Sequence, residues 1–344
     1  VDNFTIFVPG ALKGEKIKIL IVKVLSSYGY GKILEIQRKS DKRKEMDCKT
    51  YKRCGGCNLR HVKYEETLNI KQNAVQSLVN KTLKNKIQVN KTIGMENPIY
   101  YRNKAQYPIG INKEGEPVIG VFANRTHEVI KIEKCLIQNE ISQEIAKTII
   151  EFIKENKISI YNEKKLKGLF RHIVVKYGIN TNEVMCILVI NGNEIPKEKE
   201  LIEILTKKYT NIKTIVKNVN TQNTNVILGK QNINIYGDGY IKDKLGEYIF
   251  KISPQSFYQV NPIQAERLYN IGVKEANITN KDIVFDLYCG IGTISLFMAK
   301  NAQKVYGVEI VEQAIKDAKE NAKINNLQDN MSFETINVFD LLPN

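Results

Sequence analysis

The 344-residue sequence predicts a multidomain chain: a small OB-like β-barrel, an α+β middle domain carrying clustered cysteines, and an α/β domain of Rossmann-like type. Three observations predict it. Short apolar segments punctuated by glycine turns fill residues 4–38, and three of the six cysteines fall between 48 and 57. A strand, a glycine turn and a helix start then run in succession from Asp282 to Leu296.

In the first part, Phe4–Val8, Glu15–Val24 and Gly31–Gln37 read as strands, with Pro9-Gly10 and Tyr28-Gly-Tyr-Gly31 as turns. Short strands with interleaved basic and aromatic residues suit an OB-like barrel, a fold that commonly holds RNA. Too few strands are legible for a closed barrel, and the chain opens on Val1. It is therefore expected to begin inside that barrel, as a piece of a longer product.

Net charge is +15 and unevenly spread. Residues 1–100 hold 20 Lys plus Arg against 9 Asp plus Glu, a surplus of 11. Such an imbalance is an electrostatic footprint for a polyanion, most often nucleic acid. A lysine-rich composition with solvated faces gives the same sum, so charge alone leaves both readings open. No apolar run approaches the roughly 18–20 residues a membrane helix needs, and Val1-Asp-Asn-Phe-Thr lacks the marks of a signal peptide. A soluble, cytoplasmic protein is expected.

The cysteines follow a basic run, Arg38-Lys39 to Arg43-Lys44. Cys48-x5-Cys54-Gly-Gly-Cys57 is separated from Cys135 by 77 residues. Intracellular thiols stay reduced, which argues against a disulfide framework. Two thiolates on either side of a glycine turn can face one metal centre. Zinc and a [4Fe–4S] cluster both accept four thiolates, so spacing leaves the metal open, and unligated core cysteines are a third reading; the tight triplet with one distant ligand leans toward iron–sulfur.

Residues 65–83 read as an amphipathic helix, and 99–135 as strands between glycine turns. Tyr100-Tyr-Arg-Asn-Lys104 sets cations beside aromatic rings, as RNA-stacking surfaces do, although Arg102 and Lys104 suit solvated strand positions equally. A helix over 140–155 and strands over 170–177 and 183–190 complete the middle domain, with Cys186 in its core. His61, His127 and His172 are scattered and receive no metal or catalytic role. Phe257-Tyr-Gln-Val-Asn261 then precedes a helix over 262–272 that opens on Pro262. Gln259 and Asn261 would point to one side of an extended piece and could clasp a ligand; Asn261 could instead cap the helix.

In the last part, Asp282–Leu287 reads as a strand, with Gly290 and Gly292 in the turn and a helix starting at Thr293. Two missing Cβ atoms let a ligand approach the backbone, and the free N–H groups of a helix start favour a polar or anionic one. A second strand, Lys304–Val308, ends on Glu309, seventeen residues after Gly292. A carboxylate there is placed to bind ribose hydroxyls. A helix over 311–325 and a strand over 331–336 continue the alternation. Position 295, where a dinucleotide fingerprint has its third glycine, is Ser.

What remains, Asp286-x-x-x-Gly290-x-Gly292 with Glu309 downstream, resembles motif I and the acidic residue of S-adenosylmethionine-dependent methyltransferases. Together with Cx5CGGC, the remote Cys135 and Phe257-Tyr-Gln-Val-Asn261, the chain resembles the RNA 5-methyluridine methyltransferases (RumA/TrmA type) over nearly its whole length. It is most similar to the cluster- and TRAM-bearing branch that acts on 23S ribosomal RNA. The resemblance implies an OB-like (TRAM) barrel over 1–45 and an iron–sulfur, RNA-binding domain over 46–66 and 98–255. It implies a methyltransferase domain over 67–97 and 256–344 whose second half is missing.

The resemblance also implies S-adenosyl-L-methionine and a [4Fe–4S] cluster as cofactors, the cluster held by Cys48, Cys54, Cys57 and Cys135. Gln259, Asp286, Tyr288, Gly290, Gly292, Thr293, Glu309 and Asn337 would bind the methyl donor, with Glu309 on the ribose and Asn337 near the adenine. The implied reaction is methylation of uridine C5 through thiolate addition at C6. Cys289, inside the glycine turn, is badly placed for that thiolate, so nucleophile and base are expected after Asn344. The expected partner is RNA, ribosomal before transfer RNA, met by a monomer that binds no membrane. An alternative of a different class is an RNA-binding iron–sulfur or zinc protein with a non-catalytic methyltransferase-like scaffold.

Overall fold

A computed structural model describes residues 4–83, 87–124 and 126–340. Its contacts divide the chain into two compact units: Val1–Pro98 with Ala123–Thr126, and Ile99–Phe122 with His127–Asn344.

In the first unit, strands β1 (Thr5–Phe7), β2 (Lys16–Val24) and β3 (Tyr28–Arg38) form a sheet in the order β1-β3-β2. The sequence places a turn at Tyr28–Gly31, but these residues open β3. Alternation explains the difference: Gly29 and Gly31 face packed neighbours while Tyr28 and Tyr30 pack edge to face at 5.7 Å. Arg43 anchors the basic run. Its guanidinium donates to both carboxylate oxygens of Glu15 and to the Gly10 carbonyl. That pairing holds Glu15 down to about 2. Helix α1 (Tyr64–Thr82) is latched by the chain that returns beside it: Gln72 and Gln76 amides donate to the Val89 and Ile87 carbonyls.

The second unit opens with β4 (Lys104–Ile111), β5 (Pro117–Phe122), β6 (Val129–Lys131), α2 (Glu140–Glu155), β7 (Phe170–Tyr177), β8 (Val184–Ile190), α3 (Glu198–Lys208), β9 (Ile212–Val219) and β10 (Gln231–Tyr236). The strands form one sheet, β10-β9-β8-β7-β4-β5-β6, antiparallel except between β8 and β9. Strand β8, Val-Met-Cys-Ile-Leu-Val-Ile, is buried throughout and serves two cores by its period of two. Val184, Cys186, Leu188 and Ile190 join the core with Ile145 and Ile149 of α2 and Leu201 of α3. Met185, Ile187 and Val189 join the core built with the C-terminal elements.

Those elements are the hairpin β11 (Ile241–Leu245) and β12 (Tyr248–Ile252), helix α4 (Pro262–Glu275), β13 (Ile283–Asp286), α5 (Thr293–Ala299), β14 (Lys304–Glu309), α6 (Glu312–Ile324) and β15 (Met331–Thr335). Strands β13, β14 and β15 are parallel and adjacent in chain order, so the helices α5 and α6 are their crossovers. This is the α/β alternation the sequence predicts. Helix α4 runs one turn beyond the expected 262–272, because nothing in Val273-Lys-Glu275 breaks it.

Candidate functional site

Parallel pairing puts the C-terminal ends of β13 and β14 side by side, Asp286 opposite Gly307. Ligands of open α/β sheets bind at this edge. Asp286 ends β13, and its Oδ2 accepts from the Ser295 hydroxyl at 2.5 Å. Burial pushes its carboxyl above the usual range, the nearby Glu309 carboxylate adds to the rise, and the Ser295 bond opposes it. Ser295 is therefore no mere failed glycine. It fixes the carboxylate at the base of the turn, and its role was hidden because a single residue name does not show its partner.

The chain then turns through Tyr288–Gly292. The Cys289 N–H donates to the Val308 carbonyl at 3.0 Å and the Gly292 N–H to the Cys289 carbonyl at 2.9 Å. Gly290 and Gly292 have φ of +55° and +77°, the left-handed region that favours glycine. They differ in surroundings. A Cβ on Gly290 would meet nothing within 4 Å, whereas one on Gly292 would lie 3.0 Å from the Phe333 ring. Gly290 faces open space where a ligand fits, and Gly292 is required by packing. Tyr288 is 69 % exposed above the turn. Thr293 begins α5, half-buried, its hydroxyl 3.1 Å from that of Tyr269.

Glu309 ends β14. One carboxylate oxygen accepts from the Ile310 and Val311 N–H groups at 2.8 and 3.1 Å, which aims the group along the strand edge and leaves the other oxygen for a ligand. Asn337 follows β15 and is exposed, its side chain accepting from the Phe339 N–H. Asp286, the Tyr288–Gly292 turn, Glu309 and Asn337 thus share one edge of the parallel sheet.

Gln259 lies in the segment before α4, half-buried. The Asn103 side chain donates to its carbonyl at 3.0 Å, and the Asn103 N–H to the Val260 carbonyl at 3.0 Å. Asn261 does cap α4, accepting from the Gln264 N–H at 3.2 Å. Sequence reading missed Asn103, Lys176, Asp317 and Asn321. Each is a polar residue with less than a tenth of its surface exposed, and each bonds to this segment or to the glycine turn. Their signal was a polar residue on an otherwise apolar stripe, as Asp317 is among Ala314, Ile315 and Ala318.

Cys289 is buried, and that burial, with the Asp286 and Glu309 charges, pushes its thiol well above the usual range. It is not prepared to act as a thiolate. Cys186 is buried in the central sheet with its thiol pushed up to about 12.

Cys48, Cys54 and Cys57 lie half-buried in one turn-rich loop of the first unit. The Gly56 N–H reaches the Cys54 sulfur at 3.3 Å. Arg60 pairs with Asp47 through two bonds of 2.9 and 2.7 Å. Burial opposes ionisation of Asp47, but the bonds from Arg60 and Lys44 outweigh it and bring the carboxyl to about 2. Cys135 belongs to the second unit, where Gln143 brackets its backbone at 2.7 and 2.8 Å. Among the described residues no three His, Cys, Asp or Glu side chains gather in a metal-holding group. The four cysteines supply, in kind, the donors of a thiolate-ligated cluster.

Comparison with known proteins gives the family. A curated uncharacterized RNA methyltransferase of Clostridium acetobutylicum is 47 % identical over 95 % of this chain and 72 % of its own length. One from Clostridium tetani is 45 % identical over 97 % of this chain and 72 % of its own. Among solved structures, the Pyrococcus abyssi tRNA (uracil-54, C5)-methyltransferase in complex with S-adenosyl-L-homocysteine matches with a TM-score of 0.76. It is 25 % identical, over 96 % of this chain and 74 % of its own. The model of the tRNA (uracil-5-)-methyltransferases matches residues 63–339, and the chain belongs to that family of RNA-methylating enzymes.

Proposed function

We propose that the chain serves S-adenosylmethionine-dependent methylation of uridine C5 in RNA, in the cytoplasm and as a monomer. The observation that carries this is the paired carboxylate edge, Asp286 and Glu309 flanking an open glycine turn, in a chain of this family. When bound, the cofactor supplies an electrophilic methyl on a sulfonium. Glu309, with one oxygen free, accepts from the ribose hydroxyls. Gly290 leaves the space for the methionine half, with Gln259 beside it, and Asn337 meets the adenine.

Uracil C5 is a weak nucleophile. A thiolate adding at C6 makes it an enolate, C5 takes the methyl, a base removes the C5 proton, and the C6–sulfur bond then breaks to release the thiolate. Cys289 and Cys186 are buried with raised thiols, so neither is assigned that step. Cys48, Cys54, Cys57 and Cys135 are assigned to a [4Fe–4S] cluster on the chemistry of four thiol donors. Iron and sulfide analysis of anaerobically purified protein tests that; zinc, or no metal at all, overturns it.

Ribosomal RNA is the substrate proposed. Transfer RNA is the second reading, favoured by the Pyrococcus abyssi likeness, which leaves only 4 % of this chain uncovered. The test incubates residues 1–344 with labelled cofactor and unmodified ribosomal or transfer RNA. Binding of S-adenosylhomocysteine and RNA is expected, and RNA affinity should fall steeply with salt. Transfer that disappears in Cys289→Ala would make Cys289 the nucleophile. Failure to bind either ligand would sink the proposal.

A further inference from the structure

Helix α6 buries two polar side chains one turn apart. Asp317 is 1 % exposed and Asn321 fully buried. An i, i+4 pair lies on one helix face. Asp317 accepts from the Ser253 hydroxyl at 2.9 Å on one oxygen and the Ser256 hydroxyl at 2.5 Å on the other. Gln313, a turn earlier, adds a bond of 3.2 Å. Asn321 donates to the Ile291 carbonyl of the glycine turn at 3.0 Å and accepts from the Lys251 N–H at 2.7 Å. From the central sheet, Lys176 of β7 donates to the Ser253 and Ser256 carbonyls at 2.7 and 2.9 Å.

Residues 251–256 are therefore gripped on both sides, and the helix that grips them also grips the turn. Stability alone does not ask for this. A buried carboxylate is costly to desolvate, and apolar side chains on α6 would pack at no such cost. The bonds end on the segment that leads to Gln259 and on the turn that holds Gly290, the two stretches assigned to the cofactor, where geometry matters more than packing. We propose that Asp317 and Asn321 are positioning residues that register the Ser253–Gln259 segment against the Cys289–Gly292 turn, so that one face of α6 sets both stretches assigned to the cofactor.

The inference rests on the cofactor reading for its purpose, and its test separates the two. Amide hydrogen exchange in the ligand-free protein comes first. Asp317→Ala should speed exchange over 253–261, and Asn321→Ala over 288–292, at least ten-fold, with β8 unchanged. Unchanged exchange in both segments, or an equal rise in β8, overturns the proposal whatever the protein binds.

Calorimetry with S-adenosylhomocysteine follows. Asp317→Ala and Gln259→Ala should each weaken binding at least ten-fold, the double variant should lose no more than the weaker single one, and Asp317→Asn should recover part. Losses that multiply in the double variant overturn the proposal. If the unaltered protein does not bind, the cofactor reading fails while exchange still decides the clamp. Should Asp317→Ala not fold, Ser256→Ala carries the same test, because it removes one of the two bonds and leaves the carboxylate.

Discussion

Strands β8 and β13 come from the same unit and have opposite fates. In β8 every residue is buried, with alternate side chains feeding two different cores. In β13 Ile283 and Phe285 are 56 % and 65 % exposed, and Phe285 stacks on Tyr306 at 5.4 Å. The difference separates what each strand is for. The first is scaffold, and its value lies in area removed from water. The second delivers Asp286 and the glycine turn to an open sheet edge, and its value lies in where its end points.

The comparison is tested hardest by Leu188→Ala. Removing a fully buried leucine from β8 should cost about 3–4 kcal/mol, read as a shift in denaturant midpoint. A cost below about 1 kcal/mol would mean that β8 is not the scaffold.

Next, Glu309→Ala should weaken S-adenosylhomocysteine binding by about 1.5–3 kcal/mol while the melting temperature moves little, since its bonds to Ile310 and Val311 are exposed. Calorimetry showing unchanged affinity would remove Glu309 from the site.

A third effect is a pH slope. Burial, and then the neighbouring Lys104 charge, lower Lys176 from 10.5 to about 7, with Asp317 opposing. Between those values the unfolded chain holds a proton that the folded chain has released, so stability rises with pH. From pH 7 to 9 the gain should be about 1–2 kcal/mol, and Lys176→Met should flatten it in thermal melts. Above about 9 the slope should reverse, because the raised Cys186 and Cys289 thiols keep protons that the unfolded chain loses. His172, lowered to about 4 by burial, gives a separate rise below pH 6.5 and leaves the upper window clear.

The smallest effect is that of Phe285→Ala, about 0.5–1 kcal/mol, the worth of one stacked pair. A loss as large as that of Leu188→Ala would erase the contrast.

The contrast also explains what could be read without coordinates. Strand β8 announced itself as an unbroken apolar run, and the parallel unit as alternation around Gly290 and Gly292. The carboxylates at 286 and 309 followed from spacing, because strand ends are fixed by the turns beside them. What stayed hidden was pairing across distance. The sequence separation between Ser253 and Asp317 is 64 residues, and between Lys176 and Ser256 it is 80. No periodicity links such partners. Tyr28–Gly31 was misjudged for a related reason: two glycines suggest a turn, but here they make room for the side chains of neighbouring strands.

Cys289 turns the same architecture into a clock. A Cβ at Gly307 would meet the Phe333 ring and lie 3.0 Å from the Cys289 sulfur, so the thiol shares with that ring the gap this glycine leaves in β14. Buried, with its thiol raised well above the usual range, Cys289 should meet an alkylating reagent when the sheet edge around the glycine turn opens. Its rate of modification by a reagent in excess therefore counts those openings, and a ligand that closes the edge will slow it in proportion to occupancy. A native residue thus reports ligand binding through reaction kinetics, with no label introduced.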